Sequence, residues 1–162
     1  MNSMTVLQPE TGEQVTDIVN SALAEQRKLS VSGHDTKAGL GHPVDAQDSL
    51  SLKNLNGLVD YQPEELVLVV KAGTPLHEIE KILSEKNQML AFEPPHLERF
   101  YGTEGTGTIG GLVATNLSGP RRVSAGAARD FLLGFAAVSG RGDVFKSGSR
   151  VMKNVTGYDL SK

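Results

Sequence analysis

The most informative stretch of this 162-residue chain is Gly105-Thr106-Gly107-Thr108-Ile109-Gly110-Gly111, called the glycine loop below. Without Cβ atoms, its glycines let the backbone approach a ligand closely. The apolar run that follows predicts a short helix over residues 109–117, and a helix start adds positive dipole charge. Backbone N–H groups in such a place form a site for a diphosphate. The structural alternative is a glycine-rich surface turn.

The glycine loop also matches the G-x-G-x-x-G pattern of Rossmann folds, with Asp130 about twenty residues further on. Three features argue against that fold. No strand precedes Gly105, because residues 94–101 are polar and contain prolines. The predicted helix is too short for a crossover, and Asp130 precedes its strand, whereas the ribose-binding acid follows one.

A second donor-rich segment, residues 33–37, directly follows a predicted strand at Leu29–Ser32 and is called the polar loop. It combines a glycine, side chains that form hydrogen bonds and a cation, all of which suit phosphate oxygens. Alone, this segment is more typical of an ordinary polar turn. The two loops together, in this order and each after a strand–helix–strand unit, favour a shared anion site.

The remaining pattern predicts strand–helix–strand twice, then the glycine loop, then antiparallel strands. This is an α+β fold of two small lobes, about 1–92 and about 93–162. A first helix is capped by Thr11, has Gln14 as its capping-box partner and fades near Arg27 and Lys28. A second helix is capped by Thr74 with Pro75 at its first position, and a third covers residues 109–117. Strands are predicted at Thr5–Leu7, Leu29–Ser32, 49–52, 66–70 (covered on both faces), 89–92, 131–138 and 144–146, the last two around a hairpin turn.

Composition excludes several kinds of chemistry. There is no cysteine, and therefore no disulfide, thiolate nucleophile or thiolate metal site. His42, His77 and His96 are scattered without zinc-ligand spacing, so we expect no metal site. No apolar run is long enough for a membrane span, and the N-terminus lacks the features of a signal peptide. We therefore expect a cytoplasmic protein.

Charge is unevenly distributed, since residues 1–116 carry a net −8 and residues 117–162 a net +5, within a total of −3. A basic end can face an anionic ligand or a nucleic acid, or simply be a solvated face. The phenylalanines of this end, Phe131, Phe135 and Phe145, lie in strand patterns typical of a core. We therefore expect no nucleic-acid partner.

Five segments resemble the vanillyl-alcohol-oxidase type of FAD-binding domain: residues 29–37, 69–74, 108–116, 129–134 and 153–160. Within that family, the chain is most similar to the FAD-binding subunits of bacterial glycolate oxidases. The similarity covers nearly the whole chain. It implies a two-lobed FAD-binding domain that is incomplete here, because the C-terminal strands and the cap domain of full-length members are missing.

The resemblance also implies a cofactor, a reaction and partners. The intact protein would oxidise a 2-hydroxy acid, glycolate in particular, and pass electrons to other subunits of a glycolate-oxidase-like complex. The alternative is a non-catalytic flavin-binding or scaffold subunit of an oxidase complex. The catalytic residues are unknown, since in the family they come largely from the missing part. The residues implied to bind FAD are Gly33, His34, Asp35, Thr36, Lys37, Thr106, Gly107, Thr108, Ile109, Gly110 and Gly111, with Asn116 nearby.

His34 leaves two interpretations open. Related berberine-bridge-type oxidases carry a similar segment, one glycine longer, whose histidine is bonded covalently to the flavin. Thr36 and Lys37 fit the non-covalent type better. We therefore expect His34 to be a non-covalent residue of the polar loop.

Overall fold

The computed structural model describes residues 4–103 and 105–148, so the expected match at 153–160 lies outside the described residues. Within them one helix lies among the first five strands, five helices follow in succession and two strands come last, with two short 3-10 turns at Leu52–Asn54 and Pro63–Glu65. The elements are β1 (Thr5–Leu7), α1 (Gly12–Ala24), β2 (Leu29–Ser32), β3 (Asp48–Ser51), β4 (Leu58–Gln62), β5 (Val67–Val70), α2 (Leu76–Ser84), α3 (Glu98–Tyr101), α4 (Ile109–Thr115), α5 (Arg122–Ala125), α6 (Ala128–Phe131), β6 (Gly134–Val138) and β7 (Val144–Gly148).

The first unit is a parallel sheet of order β1-β3-β2, joined by α1. Thr11 caps α1 as expected, because its side chain accepts the Gln14 N–H at 3.2 Å. The Gln14 side chain instead accepts the Glu10 N–H at 2.7 Å, one residue before the predicted partner. The helix ends at Ala24, earlier than predicted, since Gln26 turns the chain with a left-handed φ of 54°. Strand β3 begins one residue earlier than expected.

The second unit differs more from the sequence pattern. Strand β5 pairs antiparallel with β4, which the sequence pattern did not predict, and β5 is half-buried rather than covered on both faces. Leu66 lies outside β5, because it takes a left-handed φ of 57° after the 3-10 turn at Pro63–Glu65. Residues 89–92 are irregular, with a turn at 91–92, and form no strand, so the predicted second strand–helix–strand unit is wrong.

Thr74 does not cap α2; Pro75 occupies that position. The Thr74 hydroxyl donates to Lys71 O at 2.7 Å and accepts the Gly57 N–H at 3.0 Å. Thr74 is 1% exposed, so its buried hydroxyl links the residue before β4 to the residue after β5. The hydroxyl that the local pattern assigns to the helix cap is thus engaged by backbone groups at the ends of β4 and β5.

The core near α4 contains Leu76, Phe92, Leu112 and Ala128. This cluster joins residues from both sides of the expected division at 92, and the two-lobe organisation stays a prediction. The predicted strand at 131–138 begins only at Gly134, because Asp130 accepts the Ala127 N–H at 2.8 Å and stabilises α6. The hairpin β6–β7 is confirmed.

Together these elements form a mixed α/β domain with strands in three separate sheets. Within residues 4–103 and 105–148, no helix is both long and apolar enough to cross a membrane.

Candidate functional site

The polar loop leaves β2 at its carboxyl end and turns immediately. Asp35 takes a left-handed φ of 54°, a conformation that aspartate tolerates better than most residues, and its carbonyl accepts the Ala38 N–H at 3.0 Å. The turn buries Thr36, which is 4% exposed, and leaves Lys37 partly buried. The loop therefore places the partly buried Lys37 shortly after the end of β2, an edge strand of the sheet.

The glycine loop runs into α4 past the start of α2. Gly107 O accepts the Leu76 N–H at 2.8 Å, and Thr108 forms a bridge with Pro75. Thr108 caps α4, since its side chain accepts the Gly111 N–H at 3.3 Å. The predicted helix is therefore confirmed, although α4 ends at Thr115.

The structure brings the two loops into direct contact. His34 Nδ1 lies 2.9 Å from Thr106 O, and the carbonyl acceptor requires that this nitrogen donate. A Cβ on Gly33 would overlap Thr108 Oγ1, so only glycine allows this approach. A Cβ on Gly107 would lie 3.2 Å from Thr36 Oγ1 and 3.3 Å from Lys37 Nζ. These contacts join polar-loop and glycine-loop residues in one shared contact surface, formed by Gly33, His34, Thr36, Lys37, Thr106, Gly107 and Thr108.

Lys37 supplies the positive charge of this surface. Burial lowers the pKa of its ammonium below the usual range, and the nearby carboxylate of Glu98 acts in the opposite direction. Glu98 is itself held by His96 Nδ1 at 3.2 Å, and His96 Nε2 lies 3.2 Å from Glu80. A partly desolvated ammonium gains strongly from an anionic partner, so the site suits a phosphate better than a neutral group.

The backbone donors divide into two groups. The Ile109 and Gly110 N–H groups donate to Thr74 O at 3.0 Å and Ala72 O at 2.8 Å. These donors, predicted for phosphate, are therefore engaged by the protein. In the part of the chain that the structure describes, the N–H groups of residues 35–37 and 106–108 have no protein acceptor.

Asn116 lies at the other end of α4 from the two loops. It caps the helix in a left-handed conformation with φ 48°, and its Oδ1 accepts the Arg129 N–H at 3.0 Å. Seven helical residues separate it from Thr108, roughly 10 Å at 1.5 Å per residue. The structure therefore gives Asn116 a capping contact, and its place near FAD stays a prediction.

Sequence reasoning missed two residues that support the site, His77 and Glu98. His77 Nδ1 lies 2.7 Å from Thr106 Oγ1. His77 and Thr106 are 29 positions apart, and Glu98 lies further still from Lys37 along the chain. No local motif marks such pairs, and the only signal was that His77 follows the start of α2 directly.

The donor set fits the diphosphate of FAD. FAD offers many phosphate acceptors, and the two loops offer the Lys37 ammonium together with backbone amides that have no acceptor among the described residues. Two hydroxyls beside the loops, Ser32 Oγ and Thr103 Oγ1, are buried without a hydrogen-bond partner among residues 4–103 and 105–148. Because buried hydroxyls normally have partners, they add further donors for a ligand or water. No group of three histidine, aspartate or glutamate side chains in these residues could hold a metal ion.

Comparison with known proteins gives a consistent result. A family model described as FAD binding domain matches residues 4–148. Glycolate oxidase subunit GlcE of Escherichia coli is 46% identical over 144 residues, which are 89% of this chain and 39% of that protein. D-2-hydroxyglutarate dehydrogenase of Xanthomonas citri is 28% identical over 98% of this chain and 32% of its own length.

A solved structure of alkyldihydroxyacetonephosphate synthase superposes with a TM-score of 0.71 at 19% identity, over 96% of this chain and 27% of that one. At this identity the likeness concerns the fold alone. The chain thus spans between about a quarter and two fifths of the length of these relatives.

Proposed function

The chain belongs to the FAD-binding domain family of FAD-linked oxidoreductases, and from this premise we propose that the polar loop and the glycine loop hold the FAD diphosphate. The observation that carries the proposal is the direct contact of the two loops around Lys37. Lys37 Nζ and the amides of residues 35–37 and 106–108 would contact phosphate oxygens. Gly33 and Gly107 would keep the backbones close enough for both loops to contact one diphosphate.

The experiment is a titration of the protein with FAD, followed by flavin fluorescence. Riboflavin is the matched control ligand, because it carries the same flavin without the diphosphate. We expect saturable binding of FAD at micromolar concentration and much weaker binding of riboflavin. Equal affinities would place the contact elsewhere than the diphosphate, and no saturable change with FAD would overturn the proposal.

For the whole protein we propose oxidation of a 2-hydroxy acid, with glycolate as the first candidate. Support comes from the similarity to a glycolate oxidase subunit and to a dehydrogenase of another 2-hydroxy acid. When bound, FAD would supply the flavin that accepts a hydride from the substrate carbon. The part played by this chain would be to bind and orient the cofactor through the two loops.

One experiment tests both the proposed partners and the proposed substrate. We propose that the chain acts with other subunits of a glycolate-oxidase-like complex, since the relative from E. coli is a subunit. A tagged copy should co-purify with partners whose dye reduction depends on glycolate, with D-lactate and D-2-hydroxyglutarate as comparison substrates. Faster dye reduction with another of these hydroxy acids would replace glycolate as the proposed substrate. The 162-residue chain with FAD alone is expected to give only background turnover.

A second candidate is a non-catalytic flavin-binding or scaffold subunit. The observation that favours it is the similarity to one subunit of a glycolate oxidase, because in a complex of several subunits the chemistry can belong to another subunit. The purified complex distinguishes the two functions. If a variant that cannot bind FAD leaves glycolate turnover unchanged in the complex, the flavin of this chain is not catalytic.

A further inference from the structure

The two histidines that contact Thr106 form an arrangement that the FAD-binding loops alone do not explain. Thr106 stands between Gly105, which takes a left-handed φ of 75°, and Gly107. A residue flanked by glycines has wide conformational freedom, and ordering it costs entropy. Something outside the loop must therefore fix it if its amide is to meet a ligand in one orientation.

Thr106 is held at both its backbone and its side chain. Its carbonyl accepts a hydrogen bond from His34 Nδ1 at 2.9 Å. Its hydroxyl oxygen accepts the His77 backbone N–H at 3.4 Å, and His77 Nδ1 lies 2.7 Å from the same oxygen. His34 belongs to the polar loop and His77 to the first turn of α2, so three segments meet at one residue.

We propose that His34 and His77 are positioning residues that hold Thr106, and so set the backbone N–H groups of residues 106–108 for the FAD diphosphate. This inference rests on the proposed function, which supplies FAD as the ligand. It departs from the expectation that His34 itself contacts the cofactor, because the Nδ1 of His34 is used by Thr106 O. Fixing the loop before binding raises affinity by reducing the ordering cost.

The hydrogen-bond roles are consistent with this arrangement. Thr106 O can only accept a hydrogen bond, so His34 Nδ1 must carry the hydrogen that it donates. The Thr106 hydroxyl accepts from the His77 backbone and can donate its own hydrogen to His77 Nδ1, so each group has a partner. The contact to His34 is partly buried and the contact to His77 is exposed, so the His34 contact should contribute more to affinity.

The test measures FAD affinity in matched variants of the full chain. His34→Ala, His77→Ala and Thr106→Val each remove one or more of these bonds, and we expect FAD affinity to fall about 3- to 10-fold, most for His34→Ala. His34→Asn keeps a donor near the Nδ1 position and Thr106→Ser keeps the hydroxyl, so both should retain most of the affinity. His42→Ala, at an exposed histidine outside both loops, is the neutral control.

A double-mutant cycle separates positioning from general damage. Because His77→Ala and Thr106→Val remove the same contact, the double variant should bind no more weakly than the weaker single variant. Fully additive losses would show that the two residues act independently and would contradict the proposal. Equal FAD affinity in wild type, His34→Ala and Thr106→Val would also overturn it.

A readout without FAD distinguishes this inference from the proposed function. The Leu76 N–H donates to Gly107 O at 2.8 Å, so its hydrogen exchange reports whether the glycine loop stays docked. We expect faster Leu76 exchange in His34→Ala while amides of the core remain protected. Unchanged Leu76 exchange in that variant would refute the positioning role, even if the protein bound no FAD at all.

Discussion

Lys37 is the residue whose charge should matter most for FAD binding. Its ammonium is partly desolvated between the two loops, and burial lowers its pKa. The folded protein therefore loses this proton at lower pH than the unfolded chain. Below the folded-state pKa, burying the charged ammonium lowers the free energy of unfolding, and this cost disappears as pH rises through that pKa. A bound phosphate favours the charged ammonium, so FAD affinity should fall with rising pH, whereas the stability of the free protein rises.

The first prediction follows from this sign. FAD affinity should decline as pH rises through the lowered pKa of Lys37, and this decline should come at a lower pH than for an ordinary lysine. Lys37→Met should weaken binding about 10- to 150-fold at pH 7, because it removes a charge-assisted hydrogen bond. It should also remove the pH dependence. Fluorescence titrations between pH 7 and 10 provide the measurement.

Lys37→Arg is the matched control, since a guanidinium stays charged across this range. Its FAD affinity should not decline with pH, even if its geometry is less favourable than that of lysine. If Lys37→Met bound FAD like the wild type, the diphosphate would lie elsewhere.

The second prediction concerns the link between His34 and flavin. With Nδ1 donating to Thr106 O, the ring is engaged in a contact within the protein. We therefore expect flavin to be released completely when the FAD-bound protein is denatured with acid and filtered. Absorbance of the filtrate and mass of the peptide containing His34 give the answer. Flavin mass on that peptide would support the covalent alternative.

At the scale of elements, the start of α4 packs on the segment between β5 and α2. Ile109 and Gly110 donate their N–H groups to Thr74 and Ala72 carbonyls, so the helix start is attached to the protein. A Cβ on Gly110 would lie 2.8 Å from Ala72 O and 2.9 Å from Ala72 Cβ. The structure thus explains this glycine by close packing, whereas a phosphate contact stays a prediction.

The third prediction is that Gly110→Ala destabilises the fold by about 1–3 kcal/mol, because the added methyl group overlaps a fixed backbone. The free energy of unfolding is measured by urea denaturation. Gly12→Ala is the control, since Gly12 begins α1 with nothing within 4 Å of an added Cβ. That variant should be neutral or more stable by less than about 1 kcal/mol. Equal stability of both variants would contradict the packing explanation.

At the scale of the whole molecule, the proposed FAD site joins segments that are distant in sequence. The polar loop follows β2, while the glycine loop lies against α2 and leads into α4, whose Leu112 belongs to the core cluster. A ligand that binds both loops binds only the folded chain. Binding should therefore stabilise the entire domain and not one element alone.

The fourth prediction quantifies this effect. At a concentration of 100 times Kd, FAD should add about 2.7 kcal/mol to the free energy of unfolding. That corresponds to a rise in Tm of roughly 5–10 °C for a chain of this size. Riboflavin at the same concentration should raise Tm much less, because it cannot use the diphosphate donors. Equal shifts with FAD and riboflavin would count against the proposed site.

Local sequence was enough to locate several elements and both loops. Strands β1 and β2, the Thr11 cap and the hairpin β6–β7 depend on neighbouring residues, and the structure confirms them. The glycine and polar loops were found in the same way, because glycine spacing and hydrogen-bonding side chains are local features. Resemblance then predicted the FAD-binding family, which the family match confirms.

Other features were set by contacts between residues far apart in the chain. The Thr74 hydroxyl turns to Gly57 and Lys71 instead of capping α2, and β4 makes β5 part of an antiparallel pair. The Ile109 and Gly110 amides, which a local pattern assigns to phosphate, reach carbonyls about 35 residues earlier. The two histidines meet Thr106 only after folding. Each of these groups forms its hydrogen bond with the partner that packing brings close to it. Only the tertiary structure determines that partner, because neighbouring residues in the sequence do not show which distant residues lie close in space.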